Sequence, residues 1–228
     1  MASSPSSSAP SGLDGVDGVS ERLLVLDDDA LAGSALAALR DERTVPADFR
    51  HHAHRLGAVL AARATADLPT RSGTVRTPLA DAPTTLPAVP VVAVPVLRAG
   101  LGLLPGVHEA LPDAQVGMVG LERDPETLEA RRYYFKVPPL DGAWVLVLEP
   151  MLATGGSACD AVRALDTGGA ERIVVVSVVA TEQGVARVLG CDPRVRIVTA
   201  AVDPGLDERG YIVPGLGDFG DRLFGTPH

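Results

Sequence analysis

Residues 144–158 are Trp-Val-Leu-Val-Leu-Glu-Pro-Met-Leu-Ala-Thr-Gly-Gly-Ser-Ala, and this stretch decides the fold. Its residues 145–148 form a short apolar run, which is typical of a buried strand in a parallel sheet. Pro150 ends the strand because proline has no N–H group for a central ladder. From Ala158 onwards, apolar residues recur at helical spacing. The stretch therefore predicts a strand, a glycine-bearing loop and a helix in direct succession.

The loop has the composition of a phosphate-binding site. Residues 153–157 carry only small or hydroxyl side chains, and free N–H groups meet the positive end of a helix dipole there. Thr154 and Ser157 could donate further hydrogen bonds. Glu149, at the end of the strand, could hold ribose hydroxyls or a magnesium-bound water. A Walker A loop and a G-x-S-x-G elbow are excluded because their motifs are absent. An ordinary strand–helix turn capped by serine is the alternative.

The composition indicates one globular domain and excludes several classes of partner. With 228 residues, 46% of them hydrophobic, the chain suits a single domain at residues 21–228, after a disordered Ser/Pro-rich tail at 1–20. A formal net charge of −9 argues against nucleic acid as the main partner. No apolar run approaches the roughly 18 residues of a membrane span. The start lacks a signal peptide, so we expect a cytoplasmic location. Cys159 and Cys191 are predicted to be separate structural thiols.

Apolar strands and helical patterns alternate along the rest of the chain. This alternation predicts an α/β fold with a doubly wound, mostly parallel sheet. Residues 69–90, rich in Pro and Thr, predict a small hairpin or hood over the sheet. Residues 125–139 predict a flexible lid loop, with a solvated hairpin as the alternative; they include Arg131, Arg132, Tyr133, Tyr134 and Lys136. We predict strands at residues 23–26, 89–96, 116–121, 145–148, 173–179 and 195–200, and helices at 31–39, 46–66, 103–111, 158–165 and 181–189.

Three charged residues follow predicted strands and are candidates for a binding site. Arg98, Arg123 and Glu149 fall at the carboxyl ends of strands, where doubly wound sheets bind ligands. An arginine fork there suits a polyanion. Residues 215–220 match the dinucleotide pattern G-x-G-x-x-G, but no βαβ unit can follow so near the end of the sequence. We expect this loop to bring main-chain groups close to a flat ligand.

Four motifs in order extend this interpretation. They are Val-Pro-Val-Leu-Arg-Ala-Gly-Leu-Gly (94–102), Arg-Asp-Pro-Glu-Thr-Leu-Glu (123–129), Pro-Met-Leu-Ala-Thr-Gly-Gly-Ser (150–157) and the glycine-rich stretch 210–222. Together they resemble the uracil branch of the type I phosphoribosyltransferase family, from about residue 23 to 226. The resemblance implies transfer of the phosphoribosyl group from 5-phospho-α-D-ribose 1-diphosphate (PRPP) to N1 of uracil. The products would be UMP and diphosphate, in pyrimidine salvage.

The resemblance also implies roles for individual residues. The PRPP-binding set is Arg98, Arg123, Glu149, Pro150, Met151, Leu152, Ala153, Thr154, Gly155, Gly156, Ser157 and Asp218. The uracil-binding set is Ile212, Gly217, Asp218 and Phe219, with Asp218 and Arg123 as catalytic residues. Mg²⁺ would arrive with PRPP and have no direct protein ligand. The family's habit implies a homodimer or homotetramer, with GTP as a candidate activator.

Three positions depart from the family's pattern. Glu149 stands where the family usually has Asp, so its carboxylate reaches one methylene further and we expect a modestly weaker hold on PRPP. Phe219 replaces a small residue beside uracil and could narrow or flatten the base pocket. Residues 62–64, Ala-Arg-Ala, replace an aromatic–acidic pair, which suggests a changed subunit contact.

Two other functions stay open at this point. A related enzyme acting on orotate would need extra cations for the orotate carboxylate, and the 210–222 loop offers only Arg222. A non-catalytic nucleotide sensor or RNA-binding regulator would show a broken donor loop or a basic face, and the sequence shows neither.

Overall fold

A mostly parallel sheet forms the centre of the molecule. The computed structural model describes residues 13, 18–123, 130–165 and 169–226. The strands are β1 (Leu23–Val25), β2 (Thr70–Arg76), β3 (Asp81–Pro87), β4 (Val91–Leu97), β5 (Gln115–Val116), β6 (Met118–Arg123), β7 (Ala130–Lys136), β8 (Trp144–Leu148), β9 (Met151–Leu152), β10 (Arg172–Thr181), β11 (Val195–Asp203), β12 (Gly205–Leu206) and β13 (Ile212–Val213). The helices are α1 (Val19–Arg22), α2 (Ala30–Arg40), α3 (Pro46–Ala64), α4 (Leu104–Ala110), α5 (Gly156–Leu165), α6 (Glu182–Leu189) and α7 (Phe219–Phe224), with a 3-10 helix at Ala99–Gly102.

The chain changes direction across the sheet between two neighbouring central strands. The strand order is β1-β11-β10-β8-β4-β6-β7, with β5 beside β4 and β9 beside β10. These pairings are parallel except for β6 with β7. After β4 the chain forms β6 on one side and then β8 on the other. The predicted fold class is confirmed, and ligands in such folds bind in the crevice outside the carboxyl ends of the two strands, here β4 and β8.

Alternating side chains of the central strands build a core on each face of the sheet. In β8, Leu146 and Leu148 pack in a cluster with α2 and α3, whereas Val145 and Val147 pack in a second cluster with α5 and α6. All four side chains are fully buried. Because strand side chains point to the two faces in turn, a strand covered by helices on both faces must be apolar throughout. This is why an apolar run in the sequence identified β8.

Asp29 and Thr181 cap helices α2 and α6. The Asp29 carboxylate accepts hydrogen bonds from the N–H groups of Leu31 and Ala32, both at 3.0 Å, where α2 begins. The Thr181 hydroxyl accepts one from Gly184 N–H, also at 3.0 Å, where α6 begins. These bonds satisfy N–H groups that a first helical turn leaves without partners.

Two peripheral segments form antiparallel pairs of strands. Strands β2 and β3 form the expected hairpin, but most of their residues are exposed, so the hairpin is not a hood over the sheet. Residues 130–136 form strand β7, which pairs with β6 and places Phe135 opposite Val119, so this part of the 125–139 segment follows the hairpin alternative. Consecutive aromatic residues favour a strand, and the free edge of β6 supplies the hydrogen-bonding partner. Residues 124–129, at the tip of this hairpin, lie outside the described residues.

The two cysteines form a disulfide, so the prediction of separate thiols is wrong. Cys159 in α5 is bonded to Cys191, just after α6, across a sequence separation of 32 and with 5.9 Å between the Cα atoms. Spacing along the chain could not indicate this pair, because the sheet brings the two helices together in space.

The predicted boundary of the disordered tail at residue 20 cuts through a helix. Helix α1 begins at Val19, whose side chain is 6% exposed and packs in the second cluster together with Leu13, which is 3% exposed. Residues 1–12 and 14–17 lie outside the described residues. Across the described part of the chain, no helix is long and apolar enough to cross a membrane.

Candidate active site

The loop after β8 is held in place by the first turn of α6. The Thr181 hydroxyl donates to the carbonyl of Ala153 at 2.7 Å. Gly155 has a φ of +70°, and a Cβ there would lie 2.6 Å from the Gly184 carbonyl oxygen. Gly184 is equally constrained, since its own Cβ would collide with the Leu152 carbonyl. Glycines at these positions let two backbone segments approach closely, which fixes the path of the loop.

This loop forms one wall of a cavity of about 320 Å³. The lining consists of Glu149, Met151, Leu152, Ala153, Thr154, Gly155, Gly156, Ser157, Ala158, Arg209 and Gly210. We call this space the donor cavity. The structure therefore brings together the predicted donor-loop residues, with one exception. Pro150 does not line the cavity; its carbonyl accepts hydrogen bonds from the Ser177 hydroxyl at 3.0 Å and from Val178 N–H at 2.9 Å, which tie the loop to β10.

Glu149 is the carboxyl group of the donor cavity, and it is 9% exposed. Burial raises the pKa of its carboxyl from 4.5 to about 8, while a hydrogen bond from Met151 N–H opposes the rise. Burial has this effect because a low-dielectric environment disfavours the charged form. Without a ligand the group is therefore largely neutral at pH 7, and a bound cation or hydroxyl donors would favour its ionised form.

Arg98, one of the two predicted arginines, is not among the described residues that line the donor cavity. The Arg98 side chain is 56% exposed; its guanidinium lies 3.2 Å from an Asp221 carboxylate oxygen and 5.4 Å from the ring centroid of Phe224. Arg123 ends β6, and its side chain lies outside the part of the chain that the structure describes.

Two glycines in the 3-10 helix after Arg98 pack closely against other parts of the site. A Cβ on Gly100 would collide with the Leu148 carbonyl at the end of β8. A Cβ on Gly102 would lie 2.7 Å from the Phe219 ring. The 3-10 helix that holds both glycines therefore lies against the end of β8, next to Glu149, and against the start of α7. Three of the predicted motifs therefore lie close together; of the fourth, at 123–129, the structure describes only Arg123, at the end of β6.

The predicted base loop presents main-chain groups and one carboxylate. Ile212 is buried, and Gly217 has a φ of +79°. Asp218 caps α7 by accepting a hydrogen bond from Asp221 N–H at 2.8 Å. The Phe219 side chain is 1% exposed and lies edge-on to Phe49, with 5.1 Å between the ring centroids. The expectation that Phe219 narrows a base pocket is therefore wrong, because its ring belongs to the hydrophobic core.

An ion pair that the sequence analysis missed anchors this loop. Asp203, at the end of β11, is 5% exposed and accepts hydrogen bonds from the Arg40 guanidinium at 2.7 and 2.9 Å and from Gly215 N–H at 2.9 Å. Arg40 also donates to the Gly215 carbonyl at 2.8 Å. An aspartate at the end of an apolar strand was the available signal, but its partner is 163 residues away in the sequence.

Arg222 is engaged entirely within the fold. Its guanidinium donates to the carbonyls of Leu39, Leu216 and Asp41, the last two at 2.8 and 2.6 Å. It also lies 4.6 Å from the ring centroid of Phe49. Burial lowers the pKa of this guanidinium. Arg222 therefore clamps the loop onto α2 and is not free to bind a ligand carboxylate.

Comparison with known proteins identifies the family of this chain. The family model described as "Uracil phosphoribosyltransferase" matches residues 25–226. A uracil phosphoribosyltransferase of Corynebacterium glutamicum is 46% identical over 196 residues, which are 86% of this chain and 93% of that protein. One from Thermoanaerobacter sp. is 43% identical over 87% of this chain and 96% of its own length. The solved AQ2163 protein of Aquifex aeolicus superposes with a TM-score of 0.84 at 34% identity, covering 89% of this chain and 97% of that one. The chain therefore belongs to the uracil phosphoribosyltransferase family.

Proposed function

We propose that this chain transfers the phosphoribosyl group of PRPP to N1 of uracil and forms UMP and diphosphate. The observation that carries the proposal is the donor cavity. Residues 153–157 line it with main-chain N–H groups and the hydroxyls of Thr154 and Ser157, which can donate to an anion, and Glu149 on the same lining can accept from ribose hydroxyls. The loop at 212–219 lies across the 3-10 helix from it. A phosphorylated sugar and a flat base thus each have a matching surface.

The environment of Arg222 favours uracil over orotate. Orotate carries a carboxylate that needs a nearby cation, and Arg222 is the one cation that the 210–222 loop could offer to a base. The Arg222 guanidinium already donates to three main-chain carbonyls, so it is not available to bind the carboxylate of orotate. Uracil presents two carbonyls and one N–H on its pairing edge, so main-chain groups can bind it without a charged side chain.

The residues suit a reaction in which positive charge builds on the sugar as diphosphate leaves. Glu149, once ionised, can accept hydrogen bonds from the ribose hydroxyls while Asp218 faces the ribose from the base loop. We propose that Arg98 and Arg123 neutralise the departing diphosphate, for which the Arg98 guanidinium must leave Asp221. The site needs no covalent nucleophile, because its task is to align uracil N1 with the anomeric carbon.

Phosphoribosyltransferases that use PRPP in general require Mg²⁺, which supplies positive charge to the diphosphate group. We propose that the ion arrives with PRPP. No three His, Cys, Asp or Glu side chains cluster within the described residues, and Glu149 is the carboxyl group on the described lining of the donor cavity. A single carboxylate can contact a metal-bound water, which fits an ion delivered by the donor.

Assembly into a homodimer or homotetramer and activation by GTP are further proposals. Strand β7, at the edge of the sheet, exposes Tyr133, Tyr134 and Phe135 to 52%, 43% and 41%. Exposed aromatic surface of this kind favours a protein interface. Activation by GTP rests on the family resemblance alone.

The test is UMP formation from PRPP and uracil, with and without Mg²⁺, alongside orotate, hypoxanthine and xanthine. Turnover with uracil alone is the expected result. Turnover with orotate would contradict the argument from Arg222. Binding of UMP with no turnover on any base would instead support a nucleotide sensor.

A further inference from the structure

A short hairpin places an arginine against the donor cavity, at a position for which the sequence carried no signal. Strands β12 and β13 pair antiparallel, and the turn between them holds Arg209. The Asp207 carboxylate accepts hydrogen bonds from the N–H groups of Arg209 and Tyr211 at 2.9 and 2.8 Å. Gly210 N–H donates to the Asp207 carbonyl at 3.0 Å. This network is an Asx-type turn, which fixes the backbone from which the Arg209 side chain extends.

The cavity has a charge requirement that its own loop does not meet. The loop offers neutral N–H and hydroxyl donors, and Glu149, the carboxyl group of the lining, cannot supply positive charge. Arg209 is the one cationic side chain among the lining residues that the structure describes. It is exposed, and its guanidinium makes no hydrogen bond or ion pair with the described residues. An unpaired guanidinium beside an anion-binding loop can form charge-assisted bonds with a phosphate at little desolvation cost.

We propose that Arg209 binds the phosphate group of PRPP that the 154–157 loop holds, as a further donor-binding residue. This inference rests on the proposed function, since it requires PRPP as the ligand. The loop then contributes directional N–H groups from one side, and Arg209 contributes charge from the other. The hydrogen-bonded turn sets the backbone before the donor binds, so only the Arg209 side chain has to be ordered on binding.

The proposal is tested with Arg209→Ala, Arg209→Lys and the control Glu208→Ala, which changes the exposed neighbouring residue in the same turn. For Arg209→Ala we expect KM for PRPP to rise about tenfold, as for loss of a charged hydrogen bond. We expect kcat and KM for uracil to stay within about twofold, because the base loop and reacting atoms are untouched. Arg209→Lys should recover part of the loss, since lysine keeps the charge but not the fork.

A second readout needs no turnover. Titration calorimetry with PRPP and Mg²⁺, without uracil, should show the same tenfold weaker binding for Arg209→Ala and wild-type affinity for Glu208→Ala. Unchanged PRPP affinity in Arg209→Ala would overturn the proposal, and so would an equal loss in Glu208→Ala, because the turn and not the charge would then matter. If wild type forms no UMP, the proposed function fails instead, which separates the two conclusions.

Discussion

Replacing the buried Glu149 with glutamine should remove a pH-dependent loss of stability. Glu149 is 9% exposed, and burial raises its pKa from 4.5 to about 8. Between these two values the folded protein holds a proton on this group that the unfolded chain has released. The free energy of unfolding therefore falls as pH rises across this window, and the full cost is present above pH 8. Below pH 4.5 the Glu149 carboxyl does not lower the free energy of unfolding, because it is protonated in both the folded and the unfolded protein.

The size of this change in unfolding free energy follows from the pKa shift of Glu149. Each pH unit inside the window is worth about 1.4 kcal/mol, so the shift of roughly 3.5 units corresponds to about 5 kcal/mol in total. Between pH 5.5 and 7.5, the stability of wild type should fall by about 2 to 3 kcal/mol relative to Glu149→Gln. The comparison of the two proteins is informative because all other titrating groups are common to both.

Urea unfolding at pH 5.5, 6.5 and 7.5, without ligand, measures this difference. Glu208→Gln, at an exposed position, is the matched control and should follow the wild-type curve. Parallel curves for wild type and Glu149→Gln would refute the reasoning, since they would mean that the carboxyl group reaches water.

The ionisation of Glu149 should also affect the pH dependence of catalysis. The pH dependence of kcat/KM reports ionisations of the free enzyme, and only the charged carboxylate accepts two ribose hydroxyls. We expect kcat/KM for PRPP to rise towards pH 8 in wild type and to lose this rise in Glu149→Gln. Glu149→Asp should have a modest effect, because aspartate offers the same group one methylene shorter. A hundredfold loss of activity in Glu149→Asp would contradict our interpretation of the site.

Two further predictions concern stability away from the donor cavity. Reduction of the Cys159–Cys191 disulfide should lower the free energy of unfolding by about 3.5 kcal/mol, as expected for a loop of this length. Urea unfolding with and without reductant measures this difference in stability. Two titratable thiols in the unreduced, unfolded protein would show that the bond is absent. Deletion of residues 1–12 should leave activity and Tm unchanged, whereas deletion of 1–20 also removes Leu13 and Val19 from the core and should cost about 3 kcal/mol. Equal Tm values for the two truncated proteins would contradict the second prediction.

The central part of the fold was predictable because its signals are local. A strand covered on both faces must be apolar, a helix shows its period within a few residues, and a cap such as Thr181 lies beside the N–H groups it satisfies. The donor loop was predictable for the same reason, since its hydroxyls, glycines and helix start are contiguous in the sequence. By contrast, the clustered cations of residues 125–139 left a lid and a hairpin as alternatives, and only the edge of β6 decided that residues 130–136 pair as a strand.

The sequence by itself determined the fold class, the donor loop and the family, because each depends on residues close together in the chain. Tertiary structure decided which side chains are available to a ligand. It placed the Phe219 ring in the core, committed Arg222 to three carbonyls, paired Cys159 with Cys191 and brought Arg209 to the donor cavity. These outcomes depend on contacts between residues far apart in the sequence, and only the packing of the helices and loops around the sheet creates those contacts.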